Sequence, residues 1–416
     1  MVGNRRASYW RPFVVLVALT ALVASSGAAA SAAPSASQGR GAGDYVVVLH
    51  DWVSNPGAVA AEHSRAQGAQ VRFVYEHAIR GYAATISEQG LRGVQRDPRV
   101  DYVEADDVMT IAHHRDNHSG GPGGGGGEPA PEPEPEPDPT CPGAQTLPWG
   151  IDKIDADESS ADAGDCTGAV NNVHVYVIDT GADTAHGDLN VVNHVNFAGG
   201  PNKDCHGHGT HVAGTIAARD NTSDVVGVAP GAPITGVKVL SCSGSGSYSG
   251  VIAGIDWVTG DAANKTNAIA NMSLGGGKST AVNDAVIASA NSGVAYSIAA
   301  GNSNADACNY SPASAGTHSG VITVGATTSS DTKASFSNYG SCVDIWAPGV
   351  SILSTKAGGG TTTMSGTSMA APHVGGGAAL YLSTHTGALA PAVEVALKTA
   401  TVTTTAGLKR LHVGGF

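Results

Sequence analysis

The chain has 416 residues, of which 41% are hydrophobic and 14% are charged, so it can form two or three domains with at least one large buried core. Lys and Arg total 22 against 35 acidic residues, giving a net charge of −13, which argues against a basic face that tracks nucleic-acid phosphates or anionic lipids. The 57 glycines and 5% aromatic residues are typical of a loop-rich α/β enzyme with close backbone approaches.

The first 33 residues have the three-part layout of a secretory signal peptide. Arginines at positions 5, 6 and 11 precede the apolar run Phe13–Ala24, and small residues continue to Ala33. A membrane anchor is the alternative, but the apolar run is shorter than the roughly 20 residues that a span needs. We therefore expect residues 1–33 to be removed and the protein to be extracellular, with no membrane association after secretion.

The region that follows predicts a small α+β unit of ferredoxin-like order, βαββαβ. The predicted strands are Tyr45–Leu49, Val71–Tyr75, Tyr82–Ile86 and Val100–Glu104, and the predicted helices are Asn55–Gly68 and Glu88–Arg96.

Residues 116–140 interrupt this periodicity with GGPGGGGG and then EPAPEPEPEPDP. A glycine run followed by alternating prolines and carboxylates favours a solvated linker, flexible first and stiff afterwards. The alternative is cation binding by the five carboxylates, but alternating prolines hold them extended and apart.

All six cysteines lie beyond the glycine run. An even number of cysteines in an exported chain predicts disulfide bonds. The residues alone leave the pairing open. Free or metal-bound thiols are the alternative, and no CxxC spacing supports them.

Residues 144–416 alternate apolar strand-like runs with helical stretches, which predicts a mostly parallel sheet covered on both faces. The predicted strands are Val173–Ile178, Ile234–Val239, Ile269–Met272, Val294–Ala299 and Val321–Val324.

Three segments of this region carry chemistry: VIDTG at 177–181, HGHGTHVAG at 206–214 and SGTSMAAPHV at 365–374. They supply Asp179, His208 and Ser368 in one of the chain orders in which the hydrolytic triad recurs. Asp179 ends a predicted strand, where open α/β sheets place their clefts. Ser368 precedes a predicted helix at Met369–Leu382, whose N-terminal N–H groups favour negative charge. Asn302 follows another strand and can donate to an oxyanion.

Each of these residues also has a structural interpretation. Asp179 and Asn302 fit turns, and Ser368 fits a helix cap. His208 and His211 lie three residues apart on one helix face and could bind zinc, but neither an HExxH motif nor a nearby glutamate supports this. The set in this order, rather than any one residue, carries the specificity.

With VIDTG, HGHGTHVAG, AAGN and GTSMA in this order, the chain resembles the subtilisin-like serine proteases, within them the proteinase K branch and most closely its aqualysin-type extracellular members. The resemblance implies an α/β, subtilisin-like three-layer fold with a mostly parallel central sheet. It also implies that Asp179 orients His208, that His208 is the general base, and that Ser368 is the nucleophile. Asn302 and the Ser368 N–H then form the oxyanion hole.

The resemblance further implies substrate-binding segments. The walls of the primary pocket are Ser273, Leu274, Gly275, Ala299, Ala300 and Gly301, and the edge that pairs with an extended substrate is Gly244, Ser245 and Gly246. Tyr248 shapes a more distant subsite. No wall carries a charge, so we expect apolar and aromatic residues before the scissile bond.

The same resemblance implies disulfides Cys205–Cys242 and Cys308–Cys342, with Cys141–Cys166 as the third. It implies a structural calcium ion held by Asp344 and by the carbonyls of Ser319 and Val321, and no organic cofactor.

Residues 44–112 resemble the family's inhibitory propeptide and intramolecular chaperone, and residues 144–416 resemble its peptidase domain. The long linker leaves the maturation point open between Ala112 and Cys141. We therefore expect a secreted, monomeric serine endopeptidase of broad specificity that processes itself from a zymogen and acts on proteins and peptides. The alternatives are a specific processing protease and a catalytically silent peptide-binding relative. The filled triad and oxyanion positions argue against a silent relative, and the absence of acidic subsites argues against a processing enzyme.

Overall fold

A computed structural model describes residues 42–112 and 145–416. The expected signal peptide and linker lie outside these residues. Within them, no helix combines the length and the apolar character needed to cross a membrane.

The N-terminal part has the predicted order of elements. They are β1 (Gly43–Leu49), α1 (Pro56–Gln67), β2 (Gln70–Tyr75), β3 (Gly81–Ile86), α2 (Glu88–Val94) and β4 (Val100–Ala105). The strands form one antiparallel sheet in the order β2-β3-β1-β4. The ferredoxin-like prediction is confirmed. Local sequence explains the helix ends: the Asn55 side chain caps α1, Pro56 opens it, and Gly68 ends it in a left-handed conformation.

One further strand, β5 (Val108–Ile111), was not predicted. It leaves this small sheet and pairs with strands from the larger part of the chain. A strand of four residues whose partners lie more than 130 positions away gives little signal in the sequence.

The larger part, residues 145–416, contains six α-helices and fourteen strands. The helices are α3 (Trp149–Lys153), α4 (His208–Ala217), α5 (Tyr248–Ala262), α6 (Thr280–Asn291), α7 (Thr367–Thr384) and α8 (Ala390–Thr399). The strands are β6 (His174–Asp179), β7 (Val191–Asn196), β8 (Ile234–Lys238), β9 (Ser245–Ser247), β10 (Ala268–Met272), β11 (Leu274–Gly277), β12 (Ala295–Ala299), β13 (Tyr310–Ser311), β14 (Val321–Thr327), β15 (Ile345–Pro348), β16 (Ile352–Thr355), β17 (Thr361–Met364), β18 (Thr401–Thr403) and β19 (Lys409–Leu411).

Nine of these strands form the central sheet, in the order β18-β19-β15-β14-β12-β10-β6-β8-β7. All neighbours run parallel except β18 and β19. Alternate residues of β6 belong to two different apolar clusters: Val175 and Val177 pack with residues of α4 and α7, and Tyr176 and Ile178 with residues of α5 and α6. Successive side chains of a strand point to opposite faces, so helices cover both faces. The three-layer, mostly parallel α/β prediction is confirmed.

This topology positions the predicted site. The carboxyl ends of parallel strands meet at one edge of a sheet, so Asp179 at the end of β6, Ser273 after β10 and Asn302 after β12 share that edge. Helix α7 packs against the middle of the sheet, where the Ser297 hydroxyl donates to the Ala371 carbonyl at 2.7 Å. It begins two residues earlier than predicted, so Ser368 lies within its first turn.

Candidate active site

Asp179 and His208 are in direct contact. Asp179 is the last residue of β6 and His208 the first of α4, and His208 Nδ1 lies 2.8 Å from Asp179 Oδ1. Both side chains are fully buried. Because a carboxylate oxygen accepts in such a contact, Nδ1 carries the proton, and Nε2 is the ring nitrogen left to take part in proton transfer.

The loop before α4 is organised by Asp204, a buried residue that the sequence analysis missed. Its carboxylate accepts hydrogen bonds from the Thr180 hydroxyl (3.0 Å), the Gly207 N–H (2.8 Å) and the Thr210 N–H (2.9 Å). Asp204 thus connects Thr180, which follows Asp179, to the backbone on both sides of His208. Glycine is required at 209, because a Cβ there would lie 2.0 Å from the Gly181 carbonyl oxygen.

Lys238, also missed, lies fully buried behind the same pair. Its ammonium donates to the carbonyls of Thr180 (2.9 Å) and Leu240 (2.8 Å). These bonds tie the ends of β6 and β8 together. Burial lowers the pKa of Lys238.

The hydroxyl of Ser368 faces two carbonyl oxygens, those of Ala112 at 2.5 Å and Ser273 at 3.0 Å. Ala112 follows β5 directly. Its carbonyl oxygen also accepts from the Ser368 N–H at 3.3 Å and from the Asn302 side-chain amide. One carbonyl therefore receives a side-chain amide and a backbone amide, which is the arrangement that stabilises an oxyanion in acyl transfer.

Thr367 orients the Asn302 amide. Asn302 Oδ1 accepts from the Thr367 N–H and from its hydroxyl, each at 2.9 Å. With Oδ1 held, the NH₂ end faces Ala112. The Thr367 hydroxyl oxygen also accepts from the Gly301 N–H at 3.0 Å. This contact links the predicted segment Ala299, Ala300 and Gly301 to the same site.

The fully buried side chain of Asn338 holds the loop that carries Asn302. Its Nδ2 donates to the Ala300 carbonyl at 2.8 Å, and its Oδ1 accepts from the N–H groups of Ser303 (2.9 Å) and Ala305 (3.0 Å). In the sequence, an asparagine in a polar loop gives no signal for this role.

The strand β5 lies between two of the predicted substrate-binding edges. It pairs antiparallel with β9 on one side and β11 on the other. At its end, the Ile111 N–H donates to the Gly244 carbonyl (3.0 Å) and the Ala112 N–H to the Ser273 carbonyl (3.2 Å). β5 therefore connects two predicted substrate-binding segments. These are the edge Gly244, Ser245 and Gly246 and the pocket segment Ser273, Leu274 and Gly275.

Side chains of β5 alternate between the protein and solvent. Met109 is fully buried, whereas Val108 and Thr110 are exposed. A Cβ on Gly276 would lie 3.1 Å from the Met109 side chain and 3.4 Å from the Tyr248 ring, and the Tyr248 hydroxyl donates to the Gly277 carbonyl at 2.9 Å. Met109 lies three residues before Ala112, and Tyr248 lies beside the pocket that holds the Met109 side chain.

Two carboxylates just before β5 cap helices of the larger part. Asp106 accepts from the Ser249 N–H (2.9 Å) in the first turn of α5. Glu104 accepts from the Thr280 N–H (2.9 Å) and the Ala281 N–H (3.2 Å) in the first turn of α6. Negative charge at a helix N-terminus is stabilising, so these contacts fix residues 42–112 on the two helices.

A carboxylate of the larger part completes this interface. Asp256 on α5 accepts from the N–H groups of Glu76 (3.1 Å), His77 (2.7 Å) and Ala78 (2.8 Å). These three donors lie in the turn between β2 and β3. The small unit therefore docks both by the turn between β2 and β3 and by the residues that lead into β5.

The structure contains the disulfides Cys205–Cys242 and Cys308–Cys342. The first joins the loop before α4 to the loop before β9, and so supports both the His208 region and the Gly244 edge. Cys141 lies outside the described residues, and its pairing with Cys166 stays a prediction.

Subtilisin-like proteases commonly bind structural calcium, but the residues around Asp344 do not fit the ion. The Lys398 ammonium lies 2.7 Å from Asp344 Oδ1, and the Thr323 N–H donates to Oδ2 at 2.9 Å. Across residues 42–112 and 145–416, no three His, Cys, Asp or Glu side chains are grouped to hold a metal. The zinc alternative gains no support either, because His211 Nε2 lies 3.0 Å from the Ile352 carbonyl.

Comparison with known proteins gives two family matches. The subtilase family matches residues 170–415, and the peptidase inhibitor I9 family matches residues 44–112. The chain is 45% identical over 323 residues to alkaline serine exoprotease A of Vibrio alginolyticus, covering 75% of this chain and 53% of that protein. It therefore spans about half the length of that relative.

In two further comparisons, the match covers a larger share of the other protein. The extracellular serine proteinase of Thermus sp. is 44% identical over 326 residues, which cover 76% of this chain and 69% of that protein. A crystal structure of a cold adapted subtilisin-like serine proteinase shares 45% identity at a TM-score of 0.56, covering 64% of this chain and 97% of that one. The chain belongs to the subtilase family and carries an I9 inhibitor region ahead of its peptidase region.

Proposed function

We propose that the protein is a secreted serine endopeptidase of broad specificity, made as a zymogen that processes itself. One observation carries this proposal: the Ala112 carbonyl lies against the Ser368 hydroxyl and receives both oxyanion donors, at the end of a strand that fills the cleft. A peptide held in this way is placed for attack.

In the proposed reaction, His208 Nε2 removes the proton from Ser368 Oγ as the oxygen attacks the carbonyl carbon. The negative charge develops on the oxygen that faces Asn302 and the Ser368 N–H. His208 then gives the proton to the leaving nitrogen, and the C–N bond breaks to leave an acyl-enzyme. A water molecule, deprotonated by His208, then attacks the acyl carbonyl carbon. The bond to Ser368 Oγ breaks, His208 returns the proton to Oγ, and the acid is released. Asp179 keeps the ring oriented and stabilises its charged form.

We place the first such cleavage at the Ala112–His113 bond. Ala112 supplies the carbonyl in the oxyanion position, so the bond on its carboxyl side is the one attacked. After cleavage, residues 44–112 retain the contacts of Glu104 and Asp106 with α5 and α6 and act as the inhibitory propeptide. The peptidase domain of residues 144–416 is active once they leave.

For specificity, we propose that apolar and aromatic residues are preferred before the scissile bond. The segments at 273–275 and 299–301 carry no charged side chain, and Ala112 is only 8% exposed in this position. A charged side chain there loses hydration without a partner. Tetrapeptide anilides ending in Phe, Leu, Ala, Lys or Glu test this preference. Faster cleavage after Lys or Glu than after Phe contradicts it.

We also propose an extracellular, monomeric enzyme that acts on proteins and peptides and needs no organic cofactor. The nucleophile, the proton carrier and the oxyanion donors are all side chains or backbone groups of this chain. The Thermus relative is named as extracellular, and the arginine-rich start followed by an apolar run supports export of this chain as well.

The test compares casein hydrolysis by the expressed full chain with that by Ser368→Ala. Ser383→Ala, at the far end of α7, is the matched control. A serine-directed phosphonylating reagent and a zinc chelator complete the design. We expect Ser368→Ala to remain uncut and inactive, the control to behave as the parent, and the reagent but not the chelator to abolish activity. A Ser368→Ala chain that matures and cleaves casein refutes the proposed triad, and an inactive parent supports the silent-relative alternative.

A further inference from the structure

Lys398 lies where the family resemblance implies a calcium ion. Its ammonium is 2.7 Å from Asp344 Oδ1, the carboxylate that the resemblance assigns to the metal. It is also 3.2 Å from Glu394 Oε1, one turn earlier on α8. One cationic side chain therefore bridges two carboxylates.

Glu394 reaches the segment that supplies the other implied ligands. Its Oε2 accepts from the Gly320 N–H at 2.7 Å, and Gly320 lies between Ser319 and Val321. The two carboxylates and Lys398 thus join helix α8 to the residues just before β14 and just before β15.

The two acids need a cation. The side chains of Asp344 and Glu394 are 8% and 12% exposed, and carboxylates at such depth are stable only when paired. The Lys398 ammonium, 2.7 Å from one acid and 3.2 Å from the other, supplies that positive charge.

A calcium ion and the Lys398 ammonium cannot both bind Asp344 Oδ1 at the same place. Calcium binds oxygen ligands at about 2.3–2.6 Å and takes six to eight of them. An ammonium 2.7 Å from the same carboxylate oxygen fills that volume and repels a dication. We propose that Lys398 is a built-in substitute for a structural calcium ion, so that the protein is stabilised at Asp344 by its own side chain and not by the metal.

The test follows melting temperature and does not depend on the proposed function. Full-length Ser368→Ala prevents autolysis and is the parent for Lys398→Met, Lys398→Arg, Asp344→Asn and the double variant Asp344→Asn/Lys398→Met. Lys409→Ala removes an exposed lysine from β19 and is the matched control. Each protein is melted in EDTA and in millimolar calcium chloride.

We expect calcium to change the melting temperature of the parent by the same amount as it changes that of Asp344→Asn. Lys398→Met should melt roughly 3–6 °C lower in EDTA, and calcium should restore much of this loss, since Asp344 and Glu394 are then free to bind it. The double variant should lose that restoration. Lys398→Arg and Lys409→Ala should behave as the parent.

Three results overturn the proposal. The first is a calcium-induced rise in the parent that Asp344→Asn removes, because the metal then binds at this position despite Lys398. The second is a Lys398→Met chain that loses no stability in EDTA. The third is a loss of stability that calcium does not restore, because Lys398 is then an ion-pair partner and not a substitute for calcium.

Discussion

The backbone nitrogen of Ser368 lies 3.3 Å from the carbonyl oxygen of Ala112, which also accepts the Asn302 amide. The two residues are 256 positions apart in the chain. Their meeting places the end of the inhibitor region where we propose that a substrate binds.

The first prediction concerns the maturation site. N-terminal sequencing and intact mass of the processed enzyme should give His113 as the first new residue at the primary cut. Ala112→Asp should slow processing at least about tenfold, because it places a charge in a buried, uncharged pocket. Thr110→Asp, whose side chain is exposed on the same strand, is the control and should process normally. A primary cut elsewhere between 113 and 141 would show that β5 is bound only as an inhibitor.

The second prediction concerns the proposed oxyanion donors. Asn302→Ala should lower kcat by about 10²–10³, the loss known for such a donor in subtilisin, a member of this family. Thr367→Val keeps the shape of the side chain but loses the hydroxyl bond to Asn302, and we expect kcat to fall about tenfold with KM unchanged. Thr367→Ser retains the hydroxyl and should recover most of the rate. Steady-state kinetics on a peptide anilide measure all three, and an equal change in KM and kcat for Thr367→Val would point to general loosening instead.

The third prediction concerns release of the inhibitor region. Asp106→Asn and Glu104→Gln remove negative charges from the N-termini of α5 and α6. Each should weaken retention of residues 44–112 by about 3–30-fold, which shortens the lag before processed enzyme cleaves casein. The difference from the parent should shrink at high salt, because ions screen these charges. Asp101→Asn, an exposed carboxylate outside this interface, serves as the control, and an equally short lag there would mean that net charge rather than capping governs release.

The fourth prediction concerns acid stability. His373 is fully buried in α7, and burial lowers its pKa to about 4, below the ordinary value near 6.5. Between these pH values the unfolded chain binds a proton that the folded chain does not, so the free energy of unfolding should fall on acidification. The loss should reach on the order of 3 kcal/mol by pH 4 and grow little below it.

Urea unfolding of the Ser368→Ala chain from pH 7 to pH 4 measures this slope. His373→Gln should be less stable at pH 7 but should lose less on acidification. His385→Gln, at the exposed end of the same helix, should keep the parent slope. Parallel curves for His373→Gln and the parent would assign acid sensitivity to other groups.

Much of this protein was determined by local sequence. The βαββαβ order followed from alternating apolar residues and from turn residues, and the strands of the central sheet from short apolar runs. Asp179, His208, Asn302 and Ser368 were predicted from motifs in a fixed order, and each lies near the end of such a strand or the start of a helix. Parallel strands bring those ends together whatever the details of packing.

Other features depend on contacts that no local pattern encodes. Asp204 and Asn338 are ordinary loop residues in the sequence, and only the folded backbone places several N–H groups around each. β5 has too few residues to be recognised without its partners β9 and β11. Glu104 and Asp106 could be assigned as caps only after the small unit docked on α5 and α6.

Lys398 shows the difference most clearly. The sequence indicated Asp344 as a calcium ligand through family resemblance, and nothing near position 344 contradicted it. The lysine that pairs with it lies 54 positions away on α8. Local sequence determines which elements form, because backbone propensity and burial act over a few residues. Which charge neutralises a buried carboxylate is decided by the packing of distant elements, and therefore by the tertiary structure.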